Sequence, residues 1–296
     1  MSIGYACLTI GDKNVLYKTC RIKNATPDNL QAIIAHNLAT LEKAIDYNRA
    51  NNINLFRISS DIIPFGSNEN IIIDWKKIFS SELKKIGEKI KKYNLRVSMH
   101  PGQYTILNSP NEHVVKNAII DLKYHSDFLD SIGTDSTSKI VLHIGGIYGD
   151  KNIAIKRFIN NFQKLDNQIK KRLVIENDDK SYNINDVLEI SKIINIPVVY
   201  DNLHNKVNNY DESKSDLYWI KKCSSTWKKE DGKQKIHYSE QDIEKRQGSH
   251  STSINENKFL KFYNIVRNIN LDIMLEVKDK DLSAIKCIKL IENKEI

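Results

Sequence analysis

The sequence predicts an α/β fold of a single domain, residues 1–296, built as a (β/α)8 TIM barrel. Eight short runs rich in Val, Ile and Leu alternate with eight longer segments whose apolar residues recur at helical spacing. That alternation is the signature of parallel strands joined by crossover helices, and eight units suffice to close a barrel. Six of the runs end in an imidazole or a carboxylate, and in a parallel barrel all strand C-termini open onto one face. A chain of 296 residues, 40% hydrophobic, fits one such barrel, with no internal repeat, linker or low-complexity segment to divide it.

In chain order, the first strand is expected over Ile3 to Leu8. Thr26 as N-cap and Pro27 at the first helical position start a helix that continues through Ile45. Asn54 to Ser59 reads as a strand, Pro64 and Gly66 as its loop, and Trp75 to Tyr93 as a helix with Leu83, Ile86 and Ile90 inward. The third strand starts at Arg96 and ends at His100, where Pro101-Gly102 stops it. A helix from Asn111 to Ile132 follows, then the strand Lys139-Ile-Val-Leu-His143 and a helix from Ile153 to Ile169. Leu173-Val-Ile-Glu176, a helix over Ile184 to Ile194 and Val198-Val-Tyr-Asp201 come next, then a helix from Asp216 to Trp227. Residues 228 to 235 read as a charged loop before a short strand at Ile236 to Ser239, and residues 240 to 258 as a long polar loop. A helix from Asn255 to Val266, a strand from Ile273 to Glu276 and a helix from Leu282 to Ile291 complete the pattern.

The strand ends supply a candidate metal centre: His100, His143, Glu176, Asp201, His237 and Glu276, with His204 three residues beyond Asp201 and His250 in the long loop. Mixed imidazole and carboxylate suits zinc, manganese or iron(II), whereas calcium or magnesium calls for oxygen ligands almost alone. Eight ligands exceed what one ion uses, so two or three divalent ions bridged by carboxylates are expected. The competing arrangement, in which the carboxylates pair with Lys and Arg and the histidines hydrogen-bond at strand ends, leaves many polar groups uncompensated around one cavity. His36, His113 and His125 fall inside helices and are not expected to bind metal.

A formal charge of +8 suits a polyanionic partner, and clustered divalent ions favour displacement at phosphorus, so phosphodiester cleavage is the natural chemistry. Cys7, Cys20, Cys223 and Cys287 have no C-x-x-C spacing, against both a zinc-thiolate site and a disulfide framework. No apolar run is long enough to span a bilayer, and Ser2-Ile-Gly-Tyr-Ala-Cys-Leu lacks the form of a signal peptide. A cytoplasmic protein without a membrane or an obligate protein partner is therefore expected.

Nine blocks, in order along the whole chain, resemble the UV damage endonuclease family. They are Gly4-Tyr-Ala-Cys7, Arg57-Ile-Ser-Ser-Asp61 with Pro64-Phe65, Ser98-Met-His-Pro-Gly-Gln-Tyr104, Leu142-His-Ile-Gly-Gly146, Ile175-Glu-Asn-Asp-Asp-Lys180, Tyr200-Asp-Asn-Leu-His204, Lys235-Ile-His237, Gly248-Ser-His250 and Leu275-Glu-Val-Lys278. The family is related to endonuclease IV in its barrel and its three-metal site. The resemblance implies an enzyme, usually associated with manganese, that nicks duplex DNA immediately 5′ of cyclobutane dimers and 6-4 photoproducts. It leaves 3′-hydroxyl and 5′-phosphate ends, and abasic sites are also accepted.

Carried over by position, the resemblance makes His100, His143, Glu176, Asp201, His204, His237, His250 and Glu276 the ligands, with Glu176 and Lys235 catalytic. By composition Lys235 reads as a solvated loop lysine; the resemblance implies a carboxylated lysine near the metals. Gln103 and Tyr104 match a pair that probes the helix as lesion nucleotides leave the stack, where an aromatic filler restores lost stacking. Packing of Tyr104 against the barrel rim is the plainer alternative. Tyr5 matches a position close to the lesion pocket. The chain departs from the family at Thr9, where asparagine is frequent, and at Asn68, where a site histidine is frequent. Asparagine is a poor ligand for zinc or manganese, so one metal is expected to be held more weakly or through water. Two other readings compete: a sugar isomerase or epimerase barrel, which also places His, Glu and Asp at strand ends, and a damage-binding protein without catalysis.

Overall fold

The apolar runs form eight strands: β1 (Ile3–Ala6), β2 (Leu55–Arg57), β3 (Arg96–Ser98), β4 (Ile140–His143), β5 (Leu173–Glu176), β6 (Val198–Asp201), β7 (Gln234–Tyr238) and β8 (Leu271–Leu275). A computed structural model describes residues 1–71 and 73–293; the last residues of the expected domain, 294 to 296, lie outside the described ones. All the strand pairs are parallel, in the order β3-β2-β1-β8-β7-β6-β5-β4. The ring closes between β3 and β4, where Met99 N–H donates to the Lys139 carbonyl (3.0 Å) and Val141 N–H to the Met99 carbonyl (3.0 Å).

The helices among the described residues are α1 (Pro27–Ala50), α2 (Trp75–Ile78), α3 (Ser80–Lys92), α4 (Glu112–Ser131), α5 (Lys151–Gln163), α6 (Asn167–Arg172), α7 (Ile184–Ile194), α8 (Asn202–Val207), α9 (Asp216–Ser224), α10 (Glu256–Val266) and α11 (Asp281–Glu292). Thr26 caps α1 with Pro27 behind it, and Asn183 and Asp186 form a capping box on α7. Two helices expected to be continuous are broken. The first breaks at Phe79, whose ring packs into the core, and the second over residues 164–166, where Leu165 is buried and Asp166 starts α6. The first strand stops at Ala6, because Cys7 turns into the left-handed region (φ 70°).

Strand alternation sorts the side chains into two compartments. Odd β1 positions and their equivalents, such as Tyr5, Phe56, Val97, Ile175 and Ile236, join the helices in the main core. Their neighbours point into the lumen, where Ala6, Leu55 and Met274 form one small apolar cluster and Val141, Val174 and Val199 another. Each Leu, Ile or Phe buried in this way stabilises by roughly 1.5–3 kcal/mol, which holds the short strands in one register. That register sets His143 beside Glu176 and Asp201 beside His237.

Candidate metal centre

The inward set of the lumen changes character at the strand C-termini. Below are Val141, Val174 and Val199; above them stand His143, Glu176 and Asp201, which end β4, β5 and β6, and His237 stands near the end of β7. His100 follows β3 after Met99, and Glu276 follows β8 directly. His204 is brought in by α8, a short helix absent from the expected pattern: Asp201 accepts the His204 backbone N–H (2.7 Å) and so caps the helix that carries it.

Three groups of possible ligands result: His100, His143 and Glu176; Glu176, Asp201 and His204; and Glu176, His237 and Glu276. Within each, one ligand atom per residue lies within 4.8 Å of the others. Glu176, 1% exposed, belongs to all three. The structure thus brings seven of the eight expected ligands together. His250 stands just outside the groups, its ring 6.2 Å from that of His204 and its backbone bridged to Gln241. Asn68 is also outside them; its carboxamide oxygen accepts the Asn70 N–H (2.9 Å).

The donor set fits divalent ions. Glu176 Oε2, Asp201 Oδ2 and His143 Nδ1 are buried without hydrogen-bond partners among the described residues, which is costly unless a cation satisfies them. His204 Nδ1 donates to the Asn177 carbonyl (2.9 Å) and His100 Nδ1 to the Pro101 carbonyl (3.0 Å), and such bonds leave each Nε2 free to ligate. Burial pushes His100 down to about 4, so its imidazole is neutral and ligand-ready. Burial also pulls on His204, but the Asp201 and Glu176 carboxylates outweigh it and raise His204 to about 9. Burial disfavours the Glu176 anion, yet the charges of His237 and His143 hold its carboxyl well below the usual range.

Arg57 belongs to the site although only its motif, not the residue, stood out in the sequence. It ends β2 inside the lumen, and its Nη2 donates to Glu276 (2.5 Å) and to His237 Nε2 (2.8 Å). His237 Nδ1 in turn donates to Glu176 (2.8 Å). The third group is therefore already partly neutralised by a protein cation, as in the competing ion-pair arrangement, while the other two retain unpaired atoms. The findable signal was position: Arg57 closes a strand where six of the other strands end at or beside a candidate ligand.

Lys235 corrects the composition reading. The strand starts at Gln234 rather than after the charged run, and Lys235 lies on the His237 face of β7, fully buried, its Nζ without a hydrogen-bond partner among the described residues. Burial drives its ammonium well below the ordinary lysine range. Tyr5 also departs from expectation. It is fully buried between β1 and α1, its hydroxyl bonded to Thr9 Oγ1 (2.5 Å) and donating to Asn48 (2.8 Å), so it presents no exposed surface at the barrel mouth. Gln103 and Tyr104 are exposed on the loop after β3, Tyr104 at 66%. His125 is buried and stands outside the three groups: it bonds Ser60 Oγ (2.9 Å), which donates to the His100 carbonyl (2.8 Å) and steadies that candidate ligand.

Comparison with known proteins agrees with this geometry. The sequence profile of the family described as UV-endonuclease UvdE matches residues 1–296. A UV DNA damage endonuclease of Clostridium perfringens (strain 13 / Type A) is 50% identical over 292 residues, 97% of this chain and 70% of that protein. One from Bacillus cereus (strain B4264) is 37% identical over 268 residues, 90% of this chain and 84% of that protein. The crystal structure of SacUVDE superposes with a TM-score of 0.94 at 39% identity, covering 100% of this chain and 99% of that one. Endonuclease IV from Thermus thermophilus shares the fold alone, with a TM-score of 0.60 at 12% identity over 98% of this chain and 99% of that one. The chain belongs to the UV-endonuclease UvdE family and is an endonuclease on an eight-stranded parallel barrel.

Proposed function

We propose that this endonuclease incises duplex DNA immediately 5′ of cyclobutane dimers and 6-4 photoproducts, and at abasic sites, leaving 3′-hydroxyl and 5′-phosphate ends. The observation that carries the reading is Glu176, one buried carboxylate shared by three His/Asp/Glu groups at the barrel mouth. Two or three divalent ions, manganese ahead of zinc or iron(II), would supply positive charge to the phosphate oxygens and acidity to the attacking water. His100, His143, Asp201 and His204 would hold them with Glu176, and His237, Glu276 and His250 would complete the set. Arg57 keeps Glu276 and His237 oriented, which favours two firmly held ions and a weaker third.

Lys235 is read as the second catalytic residue. A carboxyl group on its Nζ would exchange an unpaired buried amine for two acceptor oxygens beneath the cluster. Gln103 and Tyr104, exposed on the loop after β3, would enter the gap that an extruded lesion leaves. In this reading the enzyme works in the cytoplasm without an obligate protein partner. Among the described residues no helix is long and apolar enough to cross a membrane.

The test is incision of an end-labelled duplex carrying one cyclobutane dimer, with manganese and with chelator, beside undamaged and abasic duplexes. A single metal-dependent nick just 5′ of the dimer is expected. Cleavage of the abasic duplex alone would replace the UV lesion with the abasic site as substrate. No cleavage by metal-loaded protein would leave a sugar epimerase or a binding-only protein.

A further inference from the structure

We propose that Tyr148, braced by Arg157, is a second aromatic contact for the DNA duplex beside the Tyr104 loop; this rests on the reading of the chain as a nuclease of damaged duplex. Tyr148 lies on the loop that follows His143, so it stands on the ligand-bearing face of the barrel. It is 44% exposed and held at φ 53°, a left-handed conformation that a bulky residue adopts only when its surroundings impose it. The surroundings are explicit. Gly146 leaves room for the ring, since a Cβ there would lie 3.0 Å from its carbons, and the Arg157 guanidinium sits 5.5 Å from the ring centroid on one side.

The same residues tie this loop to the one that carries Gln103 and Tyr104. Arg157 Nε donates to the Asn108 carbonyl (2.8 Å), and Asn108 Nδ2 donates to the Gly146 carbonyl (2.8 Å) and to the Tyr182 hydroxyl (3.0 Å). Two exposed tyrosines are thereby fixed on one rigid unit at the mouth, one on each of two neighbouring strand-to-helix loops. Arg157 Nη2 is buried without a partner among the described residues, and Arg157 lines, with Lys164, Glu112 and a Lys116 already paired with Glu69 (2.8 Å), a groove between α4 and α5. A duplex engaged at Tyr104 that continues across Tyr148 meets a half-exposed aromatic ring and then the Arg157 and Lys164 cations, which suits a base or sugar followed by phosphates. Tyr148 acts on the reaction through placement of the duplex, not on the reacting atoms.

The experiment uses the full chain loaded with manganese and the variants Tyr148→Ala, Tyr148→Phe and Arg157→Gln. Steady-state incision of the dimer duplex is measured together with anisotropy of a fluorescent undamaged duplex over a salt series. Tyr148→Ala is expected to raise KM and weaken duplex binding about tenfold, the scale of one lost stacking contact, with a smaller change in kcat. Tyr148→Phe restores both. Arg157→Gln is expected to lower the slope of log affinity against log salt by about one. Equal metal content across all four proteins shows that the cluster is intact. If Tyr148→Ala binds and incises as the unmodified chain does, the inference is overturned while the proposed function stands. If the unmodified chain does not incise at all, the proposed function has failed, and unchanged duplex affinity in Tyr148→Ala would overturn this inference independently.

Discussion

The two ends of the barrel use the same ionic residue types to opposite effect. At the base, where strands begin, Lys139, Arg172 and Arg96 are each answered. Lys139, fully buried, donates to Asp231 (2.5 Å) and to the Lys171 carbonyl (2.7 Å). Arg172 reaches Asp130 and three backbone carbonyls, and Arg96 spans Asp272 and the carbonyls of Thr137, Asp231 and Lys233. At the mouth, Glu176, Asp201 and His143 each keep a buried atom without a partner among the described residues, and Lys235 does so deeper in the lumen, in register with Asp272. A satisfied network stabilises one fold; an unsatisfied one is tolerated where a ligand completes it.

Backbone strain divides the same way. Non-glycine residues at positive φ in the loops after helices α1, α3 and α7 are Asn52, Asn94 and Asn195, a residue type that tolerates that region. After strands, on the mouth side, they are Cys7, Phe65, Tyr148 and Lys280, which do not. The mouth thus carries strain that the base avoids, as expected where function over-determines the chain.

This contrast can be broken by exchange of roles. The largest expected effect is at the mouth. Asp201→Asn should lower metal affinity by about 100-fold or more, since even a group behind a ligand is worth about 10–100-fold, and incision should fall with it. Calorimetric metal titration and the incision assay check this, with the urea midpoint of the chelator-treated protein little changed. At the base the pattern should invert: Lys139→Ala leaves Asp231 buried without its cation and should cost about 3–5 kcal/mol in urea unfolding, with metal stoichiometry intact. A metal-binding defect in Lys139→Ala would mean the two ends are not separable. The smallest effects test strain. Lys280→Gly, at φ 51°, should stabilise the chelator-treated protein by about 1 kcal/mol, whereas Asn195→Gly should change it by only a few tenths, both read from thermal unfolding.

Much of this was legible before the structure. The candidate ligands at the strand ends could be found because a β-branched run that stops on His, Glu or Asp combines a strand signal with a metal-type side chain at the end where a parallel barrel opens. Lys235 was hidden because Lys-Gln-Lys resembles a solvated loop, although its two-residue spacing from His237 places both on one strand face. The same alternation sends Tyr5 to the helix side, between inward Gly4 and Ala6, which resemblance by position could not register. α8 was missed because six residues are too few for a periodic pattern, though Asp201-x-x-His204 carries its cap. Arg57 went unnoticed as part of the site because a cation at a strand end reads as solvent-facing until Glu276 and His237 are seen around it.

The central claim is that one buried carboxylate, Glu176, joins several ions into one centre. Native mass spectrometry of the manganese-loaded chain and of Glu176→Gln tests it most directly, because it counts ions independently of activity. The account predicts at least two ions in the unmodified chain and loss of all tightly held manganese in the variant, with the fold retained. A single ion in the unmodified chain, or a variant that keeps the full complement, would contradict it.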